Sequence, residues 1–182
     1  MVRTRHRARS DSAHGTSGVA HSVRSYRPPT KSVTPMLEIN QRLGLTAIDQ
    51  LDGHLTLTHD QREKGRLRVL TDTGEEARLF LERGRPLAVG EILKTTCGRH
   101  VQIKGAIEPV VTATCDDWHT FARACYHLGN RHVKIEVGEK WLRIKPDHVL
   151  EAMLIQLGLM TQPEDAVFNP ESGAYAHGHH HH

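Results

Sequence analysis

The chain has 182 residues and a mass of 20.4 kDa, which allows one domain or two small ones and excludes a large multi-domain enzyme. Aromatic residues make up only 4% of the sequence, so any core must be built from aliphatic side chains. No run of about 18 apolar residues occurs, and we predict no membrane-spanning helix. The three cysteines are too few and too scattered for a disulfide framework, which is typical of proteins of the reducing cytoplasm.

The formal net charge of +3 is unevenly distributed along the chain. Residues 1–35 hold seven of the 24 basic residues and one of the 21 acidic ones, which leaves 17 bases and 20 acids for the remainder. The body is therefore mildly acidic, and its overall charge gives no support to nucleic-acid binding. Residues 1–35 are rich in Ser, Arg, His and Gly with few bulky aliphatics, so we predict a disordered basic extension or a start-site artefact upstream of Met36.

Short strands are predicted between residues 36 and 106, because apolar residues alternate there at period two between turn signals such as Asp52-Gly53. The alternating residues are Leu55 and Leu57; Leu67 and Val69; Ala77, Leu79 and Leu81; and Val101 and Ile103. The pattern predicts a small β-rich domain over residues 36–106 in which no residue stands out as catalytic. A basic cluster is interpreted as a docking face or, more simply, as a solvated strand face: Arg62, Lys64, Arg66 and Arg68.

The periodicity changes in the second half, where residues 107–170 are predicted to form a ferredoxin-like β-α-β-β-α-β domain. A strand over 110–115 precedes a helix capped by Asp116 or Asp117 and ended by Gly129-Asn130. The apolar stripe of this helix is predicted to be Trp118, Phe121, Ala122, Cys125 and Leu128. Two strands follow, with Val133, Ile135 and Val137 in one and with Leu142 and Ile144 in the other.

A second helix is predicted to begin at Pro146-Asp147 and to end at Gly158, followed by an extended segment that runs to about Phe168. Its buried residues are predicted to be Val149, Leu150, Met153, Leu154 and Leu157. The sequence therefore predicts an α+β fold with a small β-rich domain first and a ferredoxin-like domain second.

Histidine is the residue type that points to chemistry, with 15 in the chain. Five lie among the last six residues, in the predicted flexible tail over 171–182: His177, His179, His180, His181 and His182. Clustered imidazoles on a flexible tail can wrap a divalent ion and favour nickel, copper and zinc over magnesium or calcium. An affinity tag is the alternative interpretation, although Gly178 interrupts the run and only four of the histidines are consecutive.

Three further candidate ligands lie in the predicted folded part. His132 follows Gly129-Asn130-Arg131 at the predicted junction of a helix and a strand, so its ring is expected to project from a corner of the domain. Asp147 and His148 begin the second helix, where Asp147 is either a helix cap or a ligand. Four isolated histidines receive no functional assignment: His54, His59, His100 and His119.

Several segments resemble the urease accessory proteins of the UreE family, which are nickel metallochaperones. These segments are Tyr126–His132, Asp147–Glu151, Phe168–Tyr175, the histidine-rich end and the run Arg83-Gly84-x-Pro86-Leu87-x-x-Gly90. The resemblance covers about residues 36–182. It implies a first domain similar to the peptide-binding domain of Hsp40 chaperones, a ferredoxin-like metal domain, a homodimer, and delivery of nickel to apo-urease together with a GTPase accessory partner.

The resemblance also implies roles for particular residues. The family's dimer-interface nickel ligand falls on His132, and a second metal site of some members falls on Asp147 and His148, although Pro146 stands where that site has its first histidine. A two-fold axis would supply a second copy of His132, and the tail imidazoles could complete the coordination. Ni²⁺ is thus the expected cargo, with Zn²⁺ or Cu²⁺ in competition.

Three other functions are considered beside this one. A broad-specificity metal buffer would use the tail alone. A metal-assisted hydrolase is disfavoured because the sequence has no helical His-x-x-x-His pair and no nucleophile motif. An RNA-binding module would share the β-α-β-β-α-β order, but its strands would need stacking aromatics, for which Trp141 is the single candidate. We therefore expect a cytoplasmic carrier that is not an enzyme and binds neither nucleic acid nor membrane.

Overall fold

A computed structural model describes residues 36–172 of the protein, and the predictions for residues 1–35 and 173–182 lie outside the described residues. Residues 36–172 contain ten strands and three helices. The strands are β1 Leu37–Gly44, β2 Gly53–Leu57, β3 Arg66–Leu70, β4 Glu76–Phe80, β5 Ile92–Thr95, β6 His100–Gly105, β7 Ile107–Thr114, β8 Glu136–Val137, β9 Trp141–Ile144 and β10 Met160–Val167. The helices are α1 His59–Arg62, α2 Trp118–Gly129 and α3 His148–Leu157.

The first six strands form one sheet in the order β2-β6-β5-β1-β4-β3. Strand β1 pairs in parallel with β4 and β2 in parallel with β6, whereas the other neighbours are antiparallel. The predicted alternation is confirmed, because the apolar members of these strands form an aliphatic core that includes Ile39, Leu55, Leu57, Leu79, Val101 and Ile103. Leu67 and Val69 are only partly buried, because their strand β3 lies at the edge of the sheet.

The one-turn helix α1 interrupts the strands and was not predicted. Thr58 caps it: the Thr58 hydroxyl accepts a hydrogen bond from the Gln61 N–H, and the Gln61 side chain accepts one from the Thr58 N–H. The last residue of this turn, Arg62, is buried. The interpretation of Arg62 as part of a solvated strand face is therefore wrong.

The remaining strands form a second sheet in the order β10-β7-β9-β8, with antiparallel neighbours throughout. Its elements follow one another as β-α-β-β-α-β, and α2 and α3 pack against each other. The described chain is thus a mixed α+β fold, rich in strands, with two sheets. Among residues 36–172 no helix combines the length and the apolarity that crossing a membrane requires.

Both helices bury a slightly different face from the predicted one. Helix α2 buries Phe121, Ala124 and Leu128, which places Trp118 and Ala122 about a quarter turn or more from the centre of the buried face. Both are exposed, as is Val149, which lies about a quarter turn from the buried face of α3. The prediction that these three residues are buried is therefore wrong.

Strand β8 is shorter than predicted. Only Glu136–Val137 pair with β9, because residues 130–133 form a turn whose backbone N–H groups bond back to the end of α2. Val133 and Ile135 still pack, partly buried, against the core of the second sheet. The apolar residues Val133 and Ile135 are therefore partly buried in the loop between α2 and β8 and not in a strand.

Candidate metal-binding site

His132 lies in the turn between α2 and β8, and its side chain is exposed. Its backbone N–H donates to the Gly129 carbonyl over 2.9 Å, and the next residue, Val133, donates to the Leu128 carbonyl over 3.1 Å. The φ angle of His132 is +56°, in the left-handed region that few residues other than glycine, asparagine, aspartate and histidine adopt. Helix α2 does end at the predicted Gly129, but the left-handed residue that turns the chain away is His132.

Asp147 and His148 lie where α3 begins, as predicted. The Asp147 carboxylate is the helix cap, since its Oδ1 accepts from the Val149 N–H at 2.9 Å and from the Leu150 N–H at 3.1 Å. His148 is the first helical residue and its side chain is exposed. The capping role is thus visible in the structure, whereas a ligating role stays a prediction.

The structure does not bring these three candidates into one site within a single chain. In the described range 36–172, one group of three or more potential ligands has its donor atoms close together, and it consists of His59, Asp60 and Glu63. A site at His132 therefore needs ligands from a second chain or from the tail. The tail candidates, His177 and His179–His182, lie outside the described residues.

His59, for which no functional role was predicted, is buried where residues 36–106 contact residues 107–172. Its ring meets the ring of Phe168 edge-on, with the centroids 5.5 Å apart. Its Nδ1 has no hydrogen-bond partner among the described residues and lies 3.8 Å from Oδ1 of Asp60. Burial lowers the pKa of His59, so the imidazole is neutral and can act as a ligand near neutral pH.

The two acidic members of this group form ion pairs with lysines of the second half. Oδ2 of Asp60 lies 2.7 Å from Nζ of Lys145, and Oε1 of Glu63 accepts a hydrogen bond from Nζ of Lys134 at 2.5 Å. The hydrogen bond from Lys145 lowers the pKa of Asp60, which keeps this carboxylate ionised. Each ion pair engages one oxygen of its carboxylate and joins the two halves.

Arg62 completes the contact between the halves. Its guanidinium donates to the carbonyls of Leu87, at 3.2 Å, and Phe168, at 2.5 Å, and to Oδ1 of Asn169 at 3.1 Å. Because these acceptors come from both halves, the buried Arg62 holds the end of β10 against the first sheet.

The sequence did contain a signal for this region. Thr58 and Gln61 have the spacing of a capping box, which predicts a helix start, and a helix starting there brings His59 and Glu63 to one side, four residues apart. The capping box was overlooked because it lies between two segments with strong period-two alternation of apolar residues, which become β2 and β3.

Comparison with known proteins identifies both halves of the chain. The family model for the N-terminal domain of the UreE urease accessory protein matches residues 36–106, and the model for the C-terminal domain matches residues 108–182. A urease accessory protein UreE from Marinomonas sp. is 60% identical over 147 residues, which are 81% of this chain and all of that relative. A UreE from Alteromonas mediterranea is 53% identical over 132 residues, which are 72% of this chain and 86% of that relative.

A third relative, UreE from Psychromonas ingrahamii, is 48% identical over 149 residues, which cover 80% of this chain and 97% of the relative. Two family models and relatives of this similarity confirm the resemblance that the motifs around His132 and Asp147 indicated. The chain belongs to the UreE family of urease accessory proteins.

Proposed function

We propose that the protein binds nickel and delivers it for assembly of the urease active site, as a metal carrier and not as an enzyme. The observation that carries the proposal is the placement of His132, whose ring is exposed on a backbone fixed by the turn after α2. A single exposed imidazole holds a metal weakly and can release it, which suits a carrier better than the closed four-ligand shell of structural zinc. Zn²⁺ and Cu²⁺ are expected competitors.

The nickel site would be completed in a homodimer. Helices α2 and α3 pack against each other and expose large apolar side chains, among them Trp118 (53% exposed), Tyr126 (65%) and Val149 (62%). Exposed apolar residues on neighbouring elements are typical of association surfaces. A two-fold axis near the end of α2 would bring two copies of His132 together without any further ligand in the sequence.

The domain organisation and the partners belong to the same proposal. Residues 36–106 would form the partner-binding domain and 107–170 a ferredoxin-like metal domain, which the β-α-β-β-α-β order of the second sheet supports. Residues 171–182 would form the histidine-rich tail. Asp147 and His148 would add a second metal site at the start of α3. The partners would be apo-urease and the accessory GTPase, in the cytoplasm.

Nickel titration of full-length variants tests the proposal. Calorimetry with the mass of the oligomer recorded should show a dimer whose tightest site is lost or much weakened in His132→Ala. Replacing His177 and His179–His182 by alanine should lower the number of ions per dimer while at least one site remains. His119→Ala, at another exposed histidine of α2, should change neither quantity.

Urease activation at limiting nickel then separates a donor from a buffer. A donor loses activation in His132→Ala even though the tail is intact. If nickel binding depends on the tail alone and activation is unaffected by His132→Ala, the protein is a broad-specificity metal buffer and the carrier function is wrong.

A further inference from the structure

We propose that His59, Asp60 and Glu63 form a further metal site, for Ni²⁺ or Zn²⁺, at the contact between the two halves of each chain. The proposal rests on the proposed function only for the identity of the ion. The site itself follows from the geometry of α1 and from the chemistry of its three side chains.

The donor atoms are already close enough for one ion. One donor atom from each of the three side chains lies within 4.8 Å of the other two, and Nδ1 of His59 is 3.8 Å from Oδ1 of Asp60. Metal–ligand bonds of about 2.0–2.2 Å place neighbouring donors about 3–4 Å apart, so side-chain shifts below about 1 Å would close the site. One imidazole and two carboxylates leave further coordination positions for water, as in sites that exchange their metal.

The strongest indication is the buried imidazole. The His59 side chain is 4% exposed, and its Nδ1, which faces Asp60, has no hydrogen-bond partner among residues 36–172. A buried polar atom without a partner is costly, and a bound metal ion would satisfy it.

The two lysines leave a free oxygen on each carboxylate. Lys145 engages Oδ2 of Asp60 and Lys134 engages Oε1 of Glu63, so Oδ1 and Oε2 remain available for the ion. Carboxylates that bind metals are commonly held by such outer hydrogen bonds, which fix their orientation. A cavity of about 500 Å³, which His59, Glu63 and Lys134 line, lies beside the group, and Asp60 lines a neighbouring one of about 290 Å³.

The surrounding charge sets the expected strength. Nζ of Lys145 lies against the carboxylate of Asp60 and Nζ of Lys134 against that of Glu63, and these positive charges disfavour a cation. The site should therefore bind nickel more weakly than the His132 site and fill after it. An ion bound there would lie against the lysines of the second half, so loading would act directly on the contact between the halves.

The test uses the full-length chain with His132, His148 and the five tail histidines replaced by alanine. In this background, Ni²⁺ calorimetry should still show one site per protomer, and Co²⁺ should give visible absorption bands of nitrogen and oxygen coordination. Glu63→Gln and Asp60→Asn should each weaken binding at least about tenfold, the usual effect of disturbing a metal site. Thermal melting of every variant without metal confirms that each is folded.

Two controls distinguish a ligand from a mere ion pair. Glu76→Gln removes an exposed carboxylate whose oxygen lies 2.8 Å from the Arg68 guanidinium. Among the described residues Glu76 belongs to no group of potential metal ligands, so this change should leave nickel binding unchanged. Lys134→Ala breaks the ion pair of Glu63 but keeps the carboxylate, so binding should be retained or become tighter. A loss of binding in Lys134→Ala equal to that in Glu63→Gln would overturn the site.

The outcome is also independent of the proposed function. If the background binds no nickel while the unsubstituted protein does, the site at His59, Asp60 and Glu63 is wrong and the carrier function is untouched by that result. If the background binds one ion at this site but His132→Ala alone does not affect urease activation, the site stands and the His132 carrier function is wrong.

Discussion

Two histidines of the described chain have opposite environments, and each environment suggests a different use. His132 is exposed on a left-handed backbone, and His59 is buried against Phe168. Replacing His132 by alanine should cost little stability, because its side chain is exposed and surface changes usually stay within about 0.5 kcal/mol. A non-glycine residue at positive φ often marks a functional position.

His59 makes the stability of the protein dependent on pH. Its pKa is lowered by burial, so the unfolded chain takes up a proton at this histidine more readily than the folded one. The stabilising contribution is therefore complete above the ordinary histidine pKa of about 6.5 and is lost as the pH falls through and below that value. Melting followed from pH 8 to pH 5.5 should show a falling melting temperature, and His59→Gln should flatten this dependence.

The matched control for this prediction is His119→Gln, at an exposed position in the first turn of α2. It should leave the pH dependence unchanged. A pH dependence that is the same in His59→Gln as in the unsubstituted protein would contradict the assignment, since another group would then carry the linkage.

At the level of elements, the Asp147 side chain at the start of α3 caps the helix and is also a candidate metal ligand. Asp147→Ala removes the cap of two backbone N–H groups and should cost about 1 kcal/mol of stability, because their partners are lost. Asp147→Asn keeps an oxygen that can cap the helix but loses the charge. Urea unfolding and nickel calorimetry on both variants separate the roles: a ligand loses nickel affinity in both, whereas a cap alone changes stability in Asp147→Ala only.

The alternating strands and the two longer helices could be predicted from the sequence, because each of them repeats one pattern over several residues. The one-turn helix α1 was missed, since a helix of four residues has no room for an apolar period and its one local signal is the capping box of Thr58 and Gln61. Trp118 and Val149 were wrongly placed in the core because both apolar stripes are wider than the face that the neighbouring elements cover. The spacing of apolar residues along a helix does not indicate which edge of its apolar face stays exposed to solvent.

The candidate site was predicted in the same uneven way. The positions of His132 and Asp147 at element ends follow from local turn and capping signals, and the structure confirms those positions. The group around His59 depends on lysines 71 to 85 residues away in sequence, Lys134 facing Glu63 and Lys145 facing Asp60. Such long-range contacts leave no local signal in a single sequence.

For the molecule as a whole, the contact between the halves includes one buried guanidinium, that of Arg62. Arg62→Met should lower stability by about 2–4 kcal/mol, because the carbonyls of Leu87 and Phe168 would be buried without their donor. Arg62→Lys keeps a charge but not the planar set of donors, so it should recover only part of this loss. Urea unfolding can be followed by Trp fluorescence, which reports only the second half, and by circular dichroism, which reports both halves. In Arg62→Met the midpoints of these two unfolding transitions should no longer coincide.

The control is Arg85→Met, at an exposed residue 3.5 Å from the carboxylate of Glu91. It should change stability by less than about 0.5 kcal/mol and keep the two transitions together. If Arg62→Met unfolds as cooperatively as Arg85→Met, the two sheets are coupled by other contacts and Arg62 is not the residue that joins them.

The pairing of β7 with β10 has a consequence for the order of events during synthesis. These two eight-residue strands pair along their whole length, from Ile107 with Val167 to Thr114 with Met160. The elements α2, β8, β9 and α3 all lie between them in the sequence. On a ribosome, β7 and the turn of His132 emerge long before β10, whereas the first sheet is complete once Gly105 has emerged. The nascent first half can therefore fold while the second sheet, which includes the strands on either side of α2 and the His132 turn, still lacks its strand β10.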